Sequence, residues 1–148
     1  YQATLAAVHG SVQRGEDLQQ HLLAIQDAAA FTLDNAERLI PPNVAELKDR
    51  RDAGAAALRK AGFTVEVPRA AMYLWIPLPA GLPSAAFAHR ALEHEGVIVL
   101  PGSAFGAGGE GDFRVALTVG PERLRQGIMR LGQSLASCLA AGAAGHVA

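Results

Sequence analysis

An arginine inside an alternating strand is the residue of this chain best suited to chemistry. In Phe113-Arg114-Val115-Ala116-Leu117-Thr118-Val119 the large apolar side chains fall at odd numbers. Arg114 therefore lies on the opposite face, beside Ala116 and Thr118. Small neighbours leave room above a guanidinium, whose planar fork matches a carboxylate in two parallel hydrogen bonds. Its place at the start of a strand, just past a glycine-rich loop, gives a ligand a route in. From the local pattern alone, an ordinary arginine on the solvent face of a half-buried sheet is the more common outcome.

The other candidates are weaker. Gly106-Ala107-Gly108-Gly109-Glu110-Gly111 matches G-x-G-x-x-G in letters. A dinucleotide site needs a helix N-terminus after the glycines to receive the pyrophosphate, and here a strand follows. Glu110 and Asp112 also carry the wrong charge for a phosphate cradle. The glycines are expected to serve a tight turn with positive φ. His89 and His94, five apart on one helix, point to different faces, and Cys138 has no partner at ligand spacing, so no metal site is expected. Ser103 has no neighbouring base and no nucleophile elbow exists. Arg50-Arg51-Asp52 reads as a solvated helix face with local ion pairs. Tyr73 and Trp75 could line a pocket, but aromatics in a strand usually pack a core, which is the expectation here.

These residues need elements to hold them. Leu18, Leu22, Ile25, Ala29 and Leu33 fall at helical spacing, which predicts a helix over 17–38 with Asp17 as its cap. Pro41-Pro42 should break the chain before a second helix over 43–61, with Gly62 just past its end. Period two over 63–67 and 72–78 predicts two strands. Ser84 can cap a helix through Glu95 that Gly96 closes. The apolar run 97–100 predicts a strand buried on both faces, and 113–119 a further strand. Pro121 opens a last helix with Leu124, Ile128, Leu131, Leu135 and Leu139 as its stripe. The expected fold class is α/β, an α+β small domain with a small mixed sheet and helices packed mainly on one face. A domain boundary is expected near Pro41-Pro42, and residues 1–16 show no strong period.

Composition sets the outer limits. The 148 residues suffice for one compact core, half of them are hydrophobic, and the formal net charge is −1. Nothing in that balance favours nucleic acid or an anionic membrane surface. No apolar run is long enough to span a bilayer, and residues 1–20 do not resemble a secretory leader. A single cysteine, Cys138, suits a reducing cytoplasm. Of thirteen basic side chains only Lys48 and Lys60 are lysines, which restricts any lysine chemistry. The chain starts at Tyr1 rather than methionine, so a processed or truncated piece is expected.

Taken together, the segments resemble class I/II pyridoxal-phosphate-dependent aminotransferases. Gln26-Asp27-Ala28-Ala29-Ala30, then Arg50-Arg51-Asp52 with Leu58 and Gly62, resembles the helices that follow the cofactor lysine. Pro68 through Ala71-Met72-Tyr73-Leu74-Trp75 to Leu78-Pro79 resembles the family's P-x-G-x-(M/F)-Y-x-W strand. Gly96-Val97-Ile98-Val99-Leu100-Pro101-Gly102-Ser103-Ala104-Phe105-Gly106 resembles G-V-x-V-x-P-G-x-x-F-G, and Gly109 to Leu117 resembles G-E-G-Y-F-R-I-A-L. The loop and final strand look most like the LL-diaminopimelate, succinyldiaminopimelate and aspartate aminotransferase group. Five blocks in the right order make the likeness specific.

The resemblance implies a fold, a cofactor and a role for Arg114. The fold would be the C-terminal portion of the type I pyridoxal-phosphate fold. Residues 1–42 would end the large domain and its interdomain helical segment, and 43–148 would form the small domain. Arg114 falls on the arginine that binds the substrate α-carboxylate, which reverses the local expectation for it. Tyr73, Pro101, Gly102, Phe105 and Gly106 would shape the pocket beside it. The activity would be amino transfer between an amino acid and a 2-oxoacid in a cytoplasmic homodimer.

Four departures qualify this. Lys48 and Lys60 both lie in the helix over 43–61 and neither has the Ser-x-x-Lys context of the cofactor lysine. The chain by itself is therefore expected to be inactive and to hold no cofactor covalently. Ala70 replaces the usual glycine, Asp112 the usual tyrosine, and 15–23 is longer than the family spacing. A lyase or decarboxylase of the same fold, and a cofactor-independent carboxylate-binding or interaction domain, remain as rivals.

Overall fold

The computed structural model describes residues 18–144. The expectations for residues 1–16, for Asp17 as a cap and for the spacing of 15–23 reach outside the described residues. The described residues fall into two compact units that divide between Val44 and Ala45.

In the first unit, helix α1 runs Leu18–Asp34. Leu22, Ile25 and Leu33 of its apolar stripe are all exposed. Asn35 interrupts the helix. Its side-chain amide donates to the Phe31 carbonyl at 2.8 Å, and its own carbonyl accepts the Arg38 and Leu39 N–H groups at 3.0 Å. Helix α2 then runs Ala36–Lys60 with Pro41 and Pro42 inside it, so the expected break falls at Asn35 instead. A proline removes the N–H that would bond the carbonyl four residues back. Here those carbonyls belong to the exposed Glu37 and Arg38, where water can take the place of the lost donor.

The second unit holds the core. Strands β1 (Tyr73–Pro77), β2 (Leu100–Pro101) and β3 (Asp112–Ala116) form a sheet of order β1-β3-β2. Helices α3 (Ser84–Glu95) and α4 (Pro121–Ala144) complete the unit. The register sets Leu74 opposite Val115 and Ile76 opposite Phe113, all buried. Leu58 of α2, Phe87 and Ala91 of α3, and Leu124, Ile128 and Leu131 of α4 join them in one core. The α/β class with helices on one face is what the sequence implied. Both pairings among the described strands are antiparallel, so these three strands do not make a mixed sheet.

Three aromatic rings centre this core. Phe113 lies 4.8 Å from Phe87 and 5.4 Å from Phe63, and Phe63 lies 6.1 Å from Phe87. Such pairs each add about 0.5–1.5 kcal/mol beyond their area burial. Gly54 lets α2 and α4 approach closely, because a Cβ there would come within 2.9 Å of Leu124 Cδ2.

Two expected strands differ. Residues 63–67 keep the burial alternation, with Phe63 and Val65 buried, but pair with no strand among the described residues. Alternation reports which side chains face the core, whereas a ladder needs a strand alongside. The segment is held by side chains instead, with Arg59 donating to Val65 O at 3.1 Å and Arg51 to Pro68 O at 3.2 Å. Arg50 likewise reaches Leu117 O at 3.1 Å, so Arg50-Arg51 is more than a solvated face, although Arg51 does pair with Asp52. The run 97–100 is not buried on both faces as its composition predicts. It enters the sheet only at Leu100, as an edge, and Ile98 is 78% exposed.

The third helix forms as expected over Ser84–Glu95, and Gly96 closes it at φ 64°. Ser84 is not its cap. Pro83 holds that position, and the buried Ser84 is the first helical residue.

Candidate functional site

The sheet face away from the helices carries Tyr73 and Trp75 from β1, Leu100 from β2, and Asp112, Arg114 and Ala116 from β3. The register sets Trp75 and Leu100 on either side of Arg114, and Tyr73 opposite Ala116. Parity explains this grouping. Once Leu74, Ile76, Phe113 and Val115 turn inward, their neighbours must turn outward.

Arg114 is half-buried on this face. Its Cζ lies 4.1 Å from the centre of the Tyr73 ring and 4.4 Å from that of Phe105. Each contact is worth roughly 0.5–2 kcal/mol, more as water is removed. A guanidinium stacked on rings turns its face to carbon and keeps its N–H donors in its own plane. Among the described residues no acceptor takes those donors. Such a group is set up to receive a planar anion edge-on.

Phe105 arrives from the 3₁₀ turn Gly102–Phe105. Its ring also meets Trp75 edge-to-face, with centres 5.2 Å apart. Trp75 is 42% exposed and half-buried Tyr73 touches Arg114, which corrects the expectation that these aromatics pack the core. The alternation Tyr73-Leu74-Trp75-Ile76 held the signal, because the two aliphatics claim the inner face.

The remaining pocket candidates hold the loop in shape. Pro101 pairs with Phe113. Gly102 is buried against Gly109, where a Cβ would lie 1.8 Å from the Gly109 carbonyl oxygen. Gly106 adopts φ 108° at the turn between Gly102–Phe105 and the second turn, Ala107–Gly109. Beside them, a cavity of about 410 Å³ is lined by Trp75, Phe105, Gly108, Gly109 and Asp112. A larger one, about 730 Å³, lies between the 96–99 segment and α4 and includes neither Arg114 nor its aromatic partners.

One cluster gave no sequence signal. The Glu110 carboxylate accepts the Ser84 N–H at 2.8 Å and the Ser84 hydroxyl at 2.9 Å. Ser103 joins through its own N–H, 3.2 Å from Ser84 Oγ. The Ser84 amide, followed by its hydroxyl, holds the Glu110 carboxyl below the usual carboxylate range. Nothing in the sequence ties positions 84, 103 and 110 together, because the link is made only by the fold.

The likeness to known proteins covers most of the chain. The family profile described as aminotransferase class I and II matches residues 17–131. The LL-diaminopimelate aminotransferase of Oleidesulfovibrio alaskensis is 40% identical over 133 residues, which are 87% of this chain and 33% of that protein. The chain thus spans about a third of that relative's length. The structure of a "probable N-succinyldiaminopimelate aminotransferase" from Thermus thermophilus aligns at 37% identity and a TM-score of 0.57, over 61% of this chain and 24% of that one. An α-aminoadipate aminotransferase, also from Thermus thermophilus and solved with N-(5'-phosphopyridoxyl)-L-leucine, aligns at 26% identity and a TM-score of 0.67, over 75% of this chain and 30% of that one. With its small sheet and its arginine strand inside the matched region, this chain belongs to the class I and II aminotransferase family.

Proposed function

We propose that the protein carrying this chain transfers an amino group between an amino acid and a 2-oxoacid, and that Arg114 grips the α-carboxylate of both. The observation that carries this is the guanidinium resting on Tyr73 and Phe105 with its donors untaken among the described residues. Fixing the carboxylate fixes which bond at the neighbouring carbon faces the reacting system, so orientation selects the reaction. The names of the relatives support LL-diaminopimelate as the amino donor to try first.

Pyridoxal phosphate is the cofactor of this family. It supplies an electron sink for the bonds at the substrate α-carbon. The residues of this chain do not fit the task of holding it. Lys48 and Lys60 are exposed on α2 and lack the lysine context of the family. This piece holds substrate, and by itself it is inactive. Residues 43–148 would be the small domain and 1–42 the end of the large one. A homodimer in the cytoplasm completes the reading. Among the described residues no helix is long and apolar enough to cross a membrane.

The test is Arg114→Ala and Arg114→Lys in the intact natural protein, with LL-diaminopimelate as donor. Losing a charged, two-point hydrogen bond costs about 1.5–3 kcal/mol, so KM should rise about ten- to a hundredfold. Lysine keeps the charge but not the fork, so Arg114→Lys should recover only part of the loss. An unchanged KM in Arg114→Ala would remove the proposed role. Release of carbon dioxide, or of an eliminated group together with ammonia, with no 2-oxoacid acceptor consumed, would point to the lyase reading. Saturable carboxylate binding without cofactor would point to a binding module.

A further inference from the structure

We propose that Glu110 is a positioning residue for the carboxylate grip, acting through Ser84 and Ser103 to hold the Gly102–Phe105 turn and, with it, the Phe105 ring against Arg114. This rests on the carboxylate-binding role proposed for Arg114.

The hydrogen bonds have a direction. Ser84 Oγ lies 2.9 Å from a Glu110 oxygen and 3.1 Å from Ser103 Oγ, and it accepts the Ser103 N–H at 3.2 Å. A hydroxyl has one proton to give and two lone pairs to receive with. The carboxylate is the stronger acceptor and takes that proton. Ser84 Oγ is then left as acceptor for both the amide and the hydroxyl of Ser103. Every polar atom of the buried Ser84 side chain is used, with the Glu110 charge at the end of the relay.

The same carboxylate is joined to Arg114 by two routes. Along the chain, Glu110 leads through Gly111 into β3, where Arg114 stands. Through hydrogen bonds it reaches Ser103, two residues before Phe105 in the same turn. Phe105 closes the circuit at 4.4 Å from the Arg114 guanidinium. The Gly102 and Gly109 backbones abut, which brings the two ends of the loop together just before Glu110. A loop with glycines at 102, 106, 108, 109 and 111 loses much entropy when ordered, so its shape depends on such ties. The downward push that Ser84 exerts on the Glu110 carboxyl agrees with an ionised anchor.

A residue that only stabilised the fold would act the same whether or not Arg114 were present. The test therefore compares Glu110→Ala, Glu110→Gln and Ser84→Ala, each alone and combined with Arg114→Ala, in the intact natural protein. The readouts are KM and kcat with LL-diaminopimelate as the probe donor. Glu110→Ala and Ser84→Ala should raise KM about three- to tenfold, the cost of leaving one side chain unordered, with kcat little changed. Glu110→Gln should fall between Glu110→Ala and the unaltered protein. In the Arg114→Ala background the same changes should have no further effect on KM. A KM effect that persists at full size without Arg114 overturns the inference. So does an unchanged KM in Ser84→Ala, a variant that removes the hydroxyl between Glu110 and Ser103 but keeps the Ser84 N–H on Glu110, and so decides the matter even if Glu110→Ala fails to fold. If Arg114→Ala itself leaves KM unchanged, the grip falls and this inference falls with it.

Discussion

Gly102 and Gly109 touch backbone to backbone: a Cβ on Gly102 would sit 1.8 Å from the Gly109 carbonyl oxygen, and one on Gly109 2.3 Å from that of Gly102. No side-chain adjustment can relieve a clash with a carbonyl. Gly102→Ala should therefore force the two turns apart and destabilise the protein by about 1–3 kcal/mol. Gly108→Ala is the control, because a Cβ there meets nothing within 4 Å and its φ lies outside the left-handed range. Urea unfolding of the intact protein should show a lower midpoint for Gly102→Ala and an unchanged one for Gly108→Ala. Equal midpoints for the two would mean the contact is not tight.

The Tyr73 ring, not its hydroxyl, faces the Arg114 guanidinium. Tyr73→Phe should keep the substrate affinity. Tyr73→Leu keeps bulk but removes the ring quadrupole and should weaken affinity by about 1 kcal/mol, or roughly fivefold. Isothermal titration with the amino donor would separate them. Equal loss in both variants would shift the role to the hydroxyl.

Glu110 also makes a prediction about acid. Its folded-state carboxyl is held low by the Ser84 amide and hydroxyl, so the folded state favours the ionised form. That contribution is fully present above the pKa of the unfolded chain and is lost as pH falls through the lowered folded value. The loss belongs to acid pH, beginning in the ordinary carboxylate range and completed below it. Glu110→Gln should flatten the acid side of the stability curve while leaving its slope near neutrality alone. A slope unaltered by Glu110→Gln would show that other carboxylates govern the acid limb.

Much of this was legible in the chain. The helix Ser84–Glu95 with its closing Gly96, the inward Leu74 and Ile76, and the outward Arg114 all follow from signals within a few residues. Trp75 was legible too, since its parity matches Tyr73, although the habit of aromatics to pack cores argued the other way. The prolines at 41 and 42 misled because a break depends on whether the freed carbonyls can reach water. The run 97–100 misled because apolar composition does not say how many neighbours a strand has.

The sequence by itself determined the later helices and the strands around Tyr73 and Arg114, the face of β3 that carries Arg114, and the family motifs around it. Those depend on periodicity, turn residues and residue order, which are local. Only the tertiary structure decided that Tyr73 and Phe105, 32 positions apart, would meet at one guanidinium. It alone set the Glu110 carboxylate on Ser84 and the Gly102 backbone on Gly109. Contacts between distant residues are fixed by how the elements pack, and no spacing along the chain encodes them.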